Sequence, residues 1–343
     1  MLTVFSEQHA LRDAKTELYG GELVPPFECP VRAEHIIERV RKVQLGEIVA
    51  PQHFAIDAVT RVHDDAFIRF LETAWDEWQA EGFKGEAIPT CWPARGMQQE
   101  RIPRHIEGKL GHYAMAAETS ISNGTWEAAR ASVDVALTAQ AAMQNGAREA
   151  FALCRPPGHH AAGDMYGGYC FINNAAVASQ AFLDQGAARV ALLDVDFHHG
   201  NGSQAIFYDR DDVMFVSLHG DPNDAFPHFL GYADETGEGA GKGYNHNYPM
   251  GPGTSFQTWG AALEDACRKI ADYAPDALVI SLGVDTFEND PISFFKLSSD
   301  DFKRYGATIA GLNLPSLFIM EGGYAVDEIG INAVNVLEGY EGR

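Results

Sequence analysis

The chain is poor in positive charge. Lys and Arg number 25 against 48 Asp and Glu in 343 residues, a formal charge of −23. Such a surface repels nucleic acid and anionic membranes, so neither is an expected partner. It keeps a protein soluble, and it can also draw in a cationic substrate. Long apolar stretches are missing too: no run approaches the roughly 20 residues that span a bilayer. The opening stretch MLTVFSEQHALRDAK has neither a basic nor a long apolar region, so no signal peptide is expected. Cysteines are few, at 29, 91, 154, 170 and 267, and none forms a CxxC pair. A reduced, cytoplasmic protein fits that pattern. There is no GxSxG nucleophile elbow. The glycine-rich TGEGAGKGY (236–244) is not a phosphate loop, because no Ser or Thr follows its lysine and no strand leads into it. It reads as a surface loop.

What is present is an alternation of helix and strand from about residue 126. Helical patterns cover 126–146, 170–186, 254–274 and 298–312, with a last periodic stretch at 326–340. Between them lie apolar runs at 149–160, 188–200, 212–220, 276–285 and 314–324. These runs are apolar on both faces, which predicts an open, mostly parallel sheet with helices on both sides, an α/β fold. The chain reads as one domain, 1–343, of ordinary size for such a unit. Residues 75–125 are rich in Trp, Pro, Gly and charge with weak periodicity. They read as an excursion whose aromatics need burial.

Ligands of parallel sheets bind at the carboxyl ends of strands. The unusual polar residues stand there: His159 and His160, Asp194 to His199, Ser217 and His219, Asp285, and Tyr324. Asp196 and His198 are two apart on extended chain, so their side chains point the same way. With Asp285 they make three ligands for one divalent ion and leave a position open, as catalytic zinc requires. Iron, cobalt or manganese would also accept these donors. Asp194 is placed to orient a histidine by accepting its N–H. A histidine of the PPGHHA turn can shuttle a proton. Tyr324, after two glycines, can donate to a developing oxyanion. An Asp-x-His on its own is weak, but several charged strand ends in one fold resist a packing explanation, because unpaired buried charge is costly.

In order, RPPGHHA, GGYCFINNAA, LLDVDFHHGNG, SLGVDTFENDP and MEGGY resemble the zinc-dependent histone deacetylase superfamily. KTELYGGELVPPFE, the excursion and HGDPNDAFPHFLGYADE look like its bacterial acetylpolyamine amidohydrolases, which extends the resemblance over nearly the whole chain. The resemblance implies an arginase-like sheet and one zinc per subunit on Asp196, His198 and Asp285. It implies that Asp194 holds His159 and that His160 is the general base and acid. It makes Tyr324 the oxyanion donor, Tyr169 and Phe226 the walls of an acyl channel, and Gly168 the acceptor of the amide N–H. A structural potassium would use Asp194, Asp196, His198, Ser217 and Leu218. Glu118 matches an acidic residue that reads a substrate ammonium, with Glu107 a second candidate and Tyr19 a further contact. The excursion implies a homodimer whose partner narrows the mouth. Where many histone deacetylases carry aspartate, this chain has Asn201, and a neutral amide should leave His160 less basic.

The expected activity is hydrolysis of small cationic acetylated polyamines. Three other readings compete: a deacetylase of protein or peptide acyl-lysine, a binuclear manganese arginase-like hydrolase, and a silent binder of small amines. The arginase-like reading would need further carboxylates beside Asp285, where Thr286 and Phe287 stand.

Overall fold

A computed structural model describes residues 1–343. The strands are β1 (Leu2–Val4), β2 (Glu17–Tyr19), β3 (Glu22–Val24), β4 (Ile48–Val49), β5 (Glu149–Ala152), β6 (Val190–Asp194), β7 (Val213–Gly220), β8 (Asn245–Met250), β9 (Ala277–Leu282) and β10 (Ser316–Met320). The helices are α1 (Val31–Val43), α2 (Asp65–Ala80), α3 (Ile106–Tyr113), α4 (Thr125–Gln144), α5 (Asn174–Asp184), α6 (Asn201–Phe207), α7 (Phe256–Tyr273), α8 (Ser299–Ala310) and α9 (Val326–Glu341). Eight strands form one sheet in the order β4-β1-β5-β10-β9-β6-β7-β8. Every pair in it is parallel, so the sheet is more uniform than the mostly parallel one expected. Only the β2–β3 hairpin is antiparallel.

The central strands are buried throughout, and their alternate residues serve two cores. On β6, Ala191 and Leu193 face the larger core, together with Trp259, Phe302 and Leu337 from α7, α8 and α9. Val190 and Leu192 face the other, with Ala136 of α4 and Ala176 of α5. This period of two is what parallel strands between helical layers demand. A third core gathers Phe67, Phe70 and Trp78 of α2 with Leu110 of α3, Tyr166 and Phe171. The excursion is therefore more regular than its sequence reads. It begins inside α2 and contains α3, and its weak periodicity reflects one eight-residue helix between irregular stretches.

The strands are also shorter than the apolar runs. β5 stops at Ala152, β9 at Leu282 and β10 at Met320. Beyond each stop the chain leaves the sheet, and that is where the polar residues lie. The N-terminal third supplies the short edge strand β4 and its neighbour β1, which periodicity could not reveal at two and three residues.

A buried histidine ties the stretch before α2 to the start of α5. His63 Nδ1 lies 2.8 Å from the carbonyl of Ala162, and its Nε2 accepts from the N–H of Asn173 at 3.0 Å. Both contacts suit a neutral ring, and burial pulls the pKa of His63 from the usual 6.5 to about 4. The unfolded chain then binds a proton between pH 6.5 and 4 that the folded chain refuses. Stability from this group is full above pH 6.5 and falls as pH drops toward 4, by about 3 kcal/mol in all. His63→Gln should flatten that acid limb when urea unfolding is followed between pH 7 and 4.5. An unchanged slope would assign the limb to other groups.

Candidate active site

The carboxyl ends of β5, β6, β9 and β10 converge on the floor of a channel of about 380 Å³. His160, His198 and Tyr324 line it, with Tyr169 and Phe226 as walls and Glu118 and Tyr19 farther out. Phe226 meets the His160 ring edge-on at 5.1 Å, and Tyr169 meets Tyr324 at 5.5 Å.

On the floor, His198 Nδ1 lies 2.9 Å from Asp285 Oδ2 and 3.4 Å from Asp196 Oδ1. The three donor atoms fall within 4.8 Å of one another, and all three residues are buried. Each carboxylate is also pinned by backbone: Asp285 Oδ1 accepts from the N–H of Phe197 at 2.7 Å, and Asp196 Oδ2 from that of Gly322 at 2.8 Å. A Cβ at Gly322 would stand 2.5 Å from Asp196 Oδ2 and 2.7 Å from Asp285 Oδ2, so only glycine lets this strand end close over the cluster. Burial and the neighbouring Asp196 push the carboxyl of Asp285 up to about 8. Two buried carboxylates crowded this closely call for a cation, and two oxygen donors with one imidazole suit a divalent ion. A second buried group, His159, Cys170 and Glu321, is of another kind. There, burial holds the Cys170 thiol protonated, and Sγ–H donates to the carbonyl of Gly168 at 3.3 Å.

The two adjacent histidines have opposite surroundings. His159 Nδ1 pairs with Asp194 Oδ2 at 2.9 Å, and its Nε2 is 3.8 Å from Asp196 Oδ1. Burial opposes charge on this ring, but Asp196 and Asp194 prevail and hold its pKa up at about 10. His160 Nδ1 faces Asn201 Oδ1 at 2.6 Å. Asn201 Nδ2 points to Met115 Sδ at 3.2 Å and to the carbonyl of His160 at 3.3 Å, so Oδ1 is the acceptor. His160 therefore carries its proton on Nδ1 and has a free lone pair on Nε2. Its pKa is well below the usual value through burial, then through the charges of His159 and His198. Burial is the largest cause; the Asn201 hydrogen bond raises the value, and a charged carboxylate in its place would raise it further.

Gly168 and Tyr169 both have positive φ, +56° and +66°. A Cβ on Gly168 would stand 2.2 Å from His160 Cδ2, so the turn lies flat against that ring. The N–H of Gly168 donates to Glu118 Oε1 at 2.8 Å. Glu107 is not brought to the channel: it is exposed on α3, with Oε2 3.6 Å from His105 Nδ1. Ser217 stands opposite Asp194 in the β6–β7 register, with Leu218 beside it, both buried.

Sequence reasoning missed several residues that shape the site. Glu17, buried in the channel wall, accepts from the Tyr169 hydroxyl at 2.6 Å. Asp290 accepts from the N–H of Tyr324 at 2.7 Å. Arg32 donates to the carbonyls of Glu321 and Gly323, each at 2.6 Å, and its guanidinium lies 4.8 Å from the centre of the Tyr324 ring. Glu28 sits between Arg32 and Arg155, at 2.9 Å and 2.7 Å. One signal was available, since Arg155 and Glu321 also follow apolar runs directly. Removing the Glu28 charge strands two buried guanidinium groups. Glu28→Gln is expected to lower stability by about 3–5 kcal/mol in urea titrations, and a loss below 1 kcal/mol would contradict this pairing.

A cationic and a neutral imidazole beside a divalent-ion site, facing a phenol across a narrow channel, suit hydrolysis of an unactivated acyl bond. That makes the chain a metal-dependent hydrolase of the α/β class. The pattern of the histone deacetylase domain matches residues 26–340. Acetylpolyamine amidohydrolase 1 of Pseudomonas aeruginosa is 59% identical over 343 residues, covering 100% of this chain and 99% of that protein. Acetylpolyamine amidohydrolase of Mycoplana ramosa is 59% identical over 342 residues, covering 100% of both. The crystal structure of an acetylpolyamine aminohydrolase from Burkholderia pseudomallei superposes with a TM-score of 0.94 at 40% identity, over 99% of this chain and 98% of that one. The chain belongs to the histone deacetylase family, and it is an amidohydrolase with a deacetylase fold.

Proposed function

We propose that this enzyme hydrolyses the acetamide bond of N-acetylated polyamines, such as acetylputrescine, acetylcadaverine, acetylspermidine and acetylspermine, giving acetate and a free amine. The observation that carries the reading is the channel itself: narrow, aromatic near its floor, and lined by the carboxylates of Glu17, Glu118 and Asp224. A slender cation is favoured there, and a folded acidic or bulky partner is not. The net charge of −23 adds steering from a distance. The names of the relatives support the same substrate class.

Asp196, His198 and Asp285 would hold the divalent ion, zinc in our reading, one per subunit. When bound, it supplies Lewis acidity toward the acetamide carbonyl and toward water. The neutral His160 takes a proton from the attacking water at Nε2 and returns it to the departing amine. His159, kept cationic by Asp196 and Asp194, offsets the negative charge gathering beside it. Tyr324 donates a hydrogen bond from its hydroxyl to the oxyanion, and Arg32 beside the ring fixes its attitude. Gly168 offers its carbonyl to the amide N–H, and Tyr169 and Phe226 grip the chain. Tyr19 and Glu118 meet the distal ammonium. Glu107 would join them only from a second subunit, since its own channel does not include it. Exposed Leu18, Tyr19 and Phe229 near the mouth support a homodimer, which light scattering after size exclusion tests. Asp194, Asp196, His198, Ser217 and Leu218 would hold a structural potassium. No helix is long and apolar enough to cross a membrane, and five free cysteines suit a cytoplasmic setting.

The deciding experiment compares kcat/KM for acetylputrescine and acetylspermidine with that for an acetyl-lysine peptide, alongside metal analysis. Acetylated polyamines should lead, with one ion per subunit. A strong preference for the peptide would sink the substrate assignment, and two ions per subunit would favour the binuclear rival. Tyr324→Phe should lower kcat by about 10²–10³-fold, the usual cost of one oxyanion donor. An unchanged kcat would remove the phenol from the mechanism.

A further inference from the structure

Glu321 is a buried acidic residue that the mechanism above leaves without a task. It is fully buried, one residue beyond β10. Its own N–H still pairs with the carbonyl of Leu282, so its main chain continues the sheet. Its side chain crosses to the end of β5. There Oε2 accepts from the N–H of Gly158 at 2.6 Å and from that of His159 at 3.2 Å. Those donors belong to the Pro156-Pro157-Gly158-His159-His160 turn, in which the two prolines have no N–H to offer. Buried amides need an acceptor, and in this turn a single carboxylate oxygen supplies it for both. On its far side the turn is pressed against α5, where a Cβ on Gly158 would stand 2.5 Å from the amide nitrogen of Asn174. The turn thus has a wall behind it; Asp194 and Asn201 hold its histidine rings and the amides of Gly202 and Ser203 hold the His159 carbonyl, while Glu321 is the acceptor for the N–H groups of Gly158 and His159.

The same residue begins the segment that carries Tyr324. Its carbonyl receives Arg32, and the next N–H, of Gly322, is bound by Asp196. Shifting Glu321 would therefore move both the histidine turn and the tyrosine segment. We propose that Glu321 is a positioning residue that sets the spacing between His160 and Tyr324, acting as a fixed acceptor and not as a proton carrier or metal ligand. The proposal rests on the hydrolase reading of the site. It follows that what matters at position 321 is an oxygen at the right place, with or without a negative charge.

Two variants separate these properties. Glu321→Gln keeps an oxygen that can accept from both amides, and Glu321→Ala removes it. We expect Ala to lower kcat by about 10²-fold, as a misplacement near 1 Å does. KM should stay within about twofold, because binding contacts are untouched. We expect Gln to recover at least tenfold over Ala, a split that general destabilisation would not produce. Metal content by elemental analysis should equal that of wild type in both. If Glu321→Ala does not fold, Glu321→Asp takes its place, since it withdraws the oxygen by one methylene, and it should be slower than Gln. Gln as slow as Ala or Asp would overturn the proposal in favour of a charge-dependent role. Wild-type rates in Ala, or in Asp where it stands in, would overturn it too. Running an acetyl-lysine peptide beside acetylputrescine keeps the comparison readable if the polyamine assignment fails.

Discussion

Replacing His160 by alanine is expected to lower kcat on acetylputrescine by about 10³–10⁴-fold, the upper part of the range for a lost general acid and base. In the proposed mechanism both proton transfers pass through Nε2, so one deletion should stop activation of water and departure of the amine together. Metal content should not change, because His160 contributes no atom to the cluster of Asp196, His198 and Asp285. KM should change little, since Phe226 and Tyr169 keep their places in the wall. The check is steady-state kinetics with elemental analysis on one preparation. Activity within tenfold of wild type would transfer the role to His159, despite the Asp194 and Asp196 carboxylates that keep that ring protonated.

Asp285→Ala is expected to empty the metal site and abolish turnover. It removes one of three donors and leaves His198 with a single carboxylate partner. With only two donors left, a divalent ion is not held against water. Metal per subunit, measured after desalting, should fall from one toward zero, and added zinc should restore little activity. Full occupancy in this variant would mean that the ion sits elsewhere. The variant should nevertheless fold and unfold at a temperature close to that of chelated wild type, because losing one of two crowded buried carboxylates relieves their repulsion.

Much of this arrangement could be read from the chain in advance, for a definite reason. Parallel strands covered on both faces are apolar through and through, so a charge at the end of one stands out. Asp194, Asp196, His198, Asp285 and Tyr324 were legible in that way, as were the helices that separate them. The edges were not. β1 and β4 are too short for a period of two to emerge, and β2–β3 is a three-residue hairpin with exposed apolar side chains. Glu17, Glu28 and Arg32 were hidden for a different reason. Apart from the Glu28–Arg32 pair itself, their partners, Tyr169, Arg155 and the carbonyls of Glu321 and Gly323, lie more than a hundred residues away in sequence. No local pattern encodes a contact between a side chain and a distant main-chain carbonyl. Glu321 was visible as a letter in MEGGY, but only the fold shows that its carboxylate turns toward the neighbouring strand end.

Because all eight strands of the large sheet run the same way, the molecule has a working edge and an idle one. The turns at the opposite edge, around Gln144, Gly186, Asp276 and Pro315, enclose a shallow depression with no part of the channel in it. Asn145, exposed in one of these turns, is a convenient place for a single linkage to a solid support. A molecule tethered there would stand with its mouth toward the bulk liquid, and a packed bed of such molecules would meet a flowing stream of substrate without blocking its own openings.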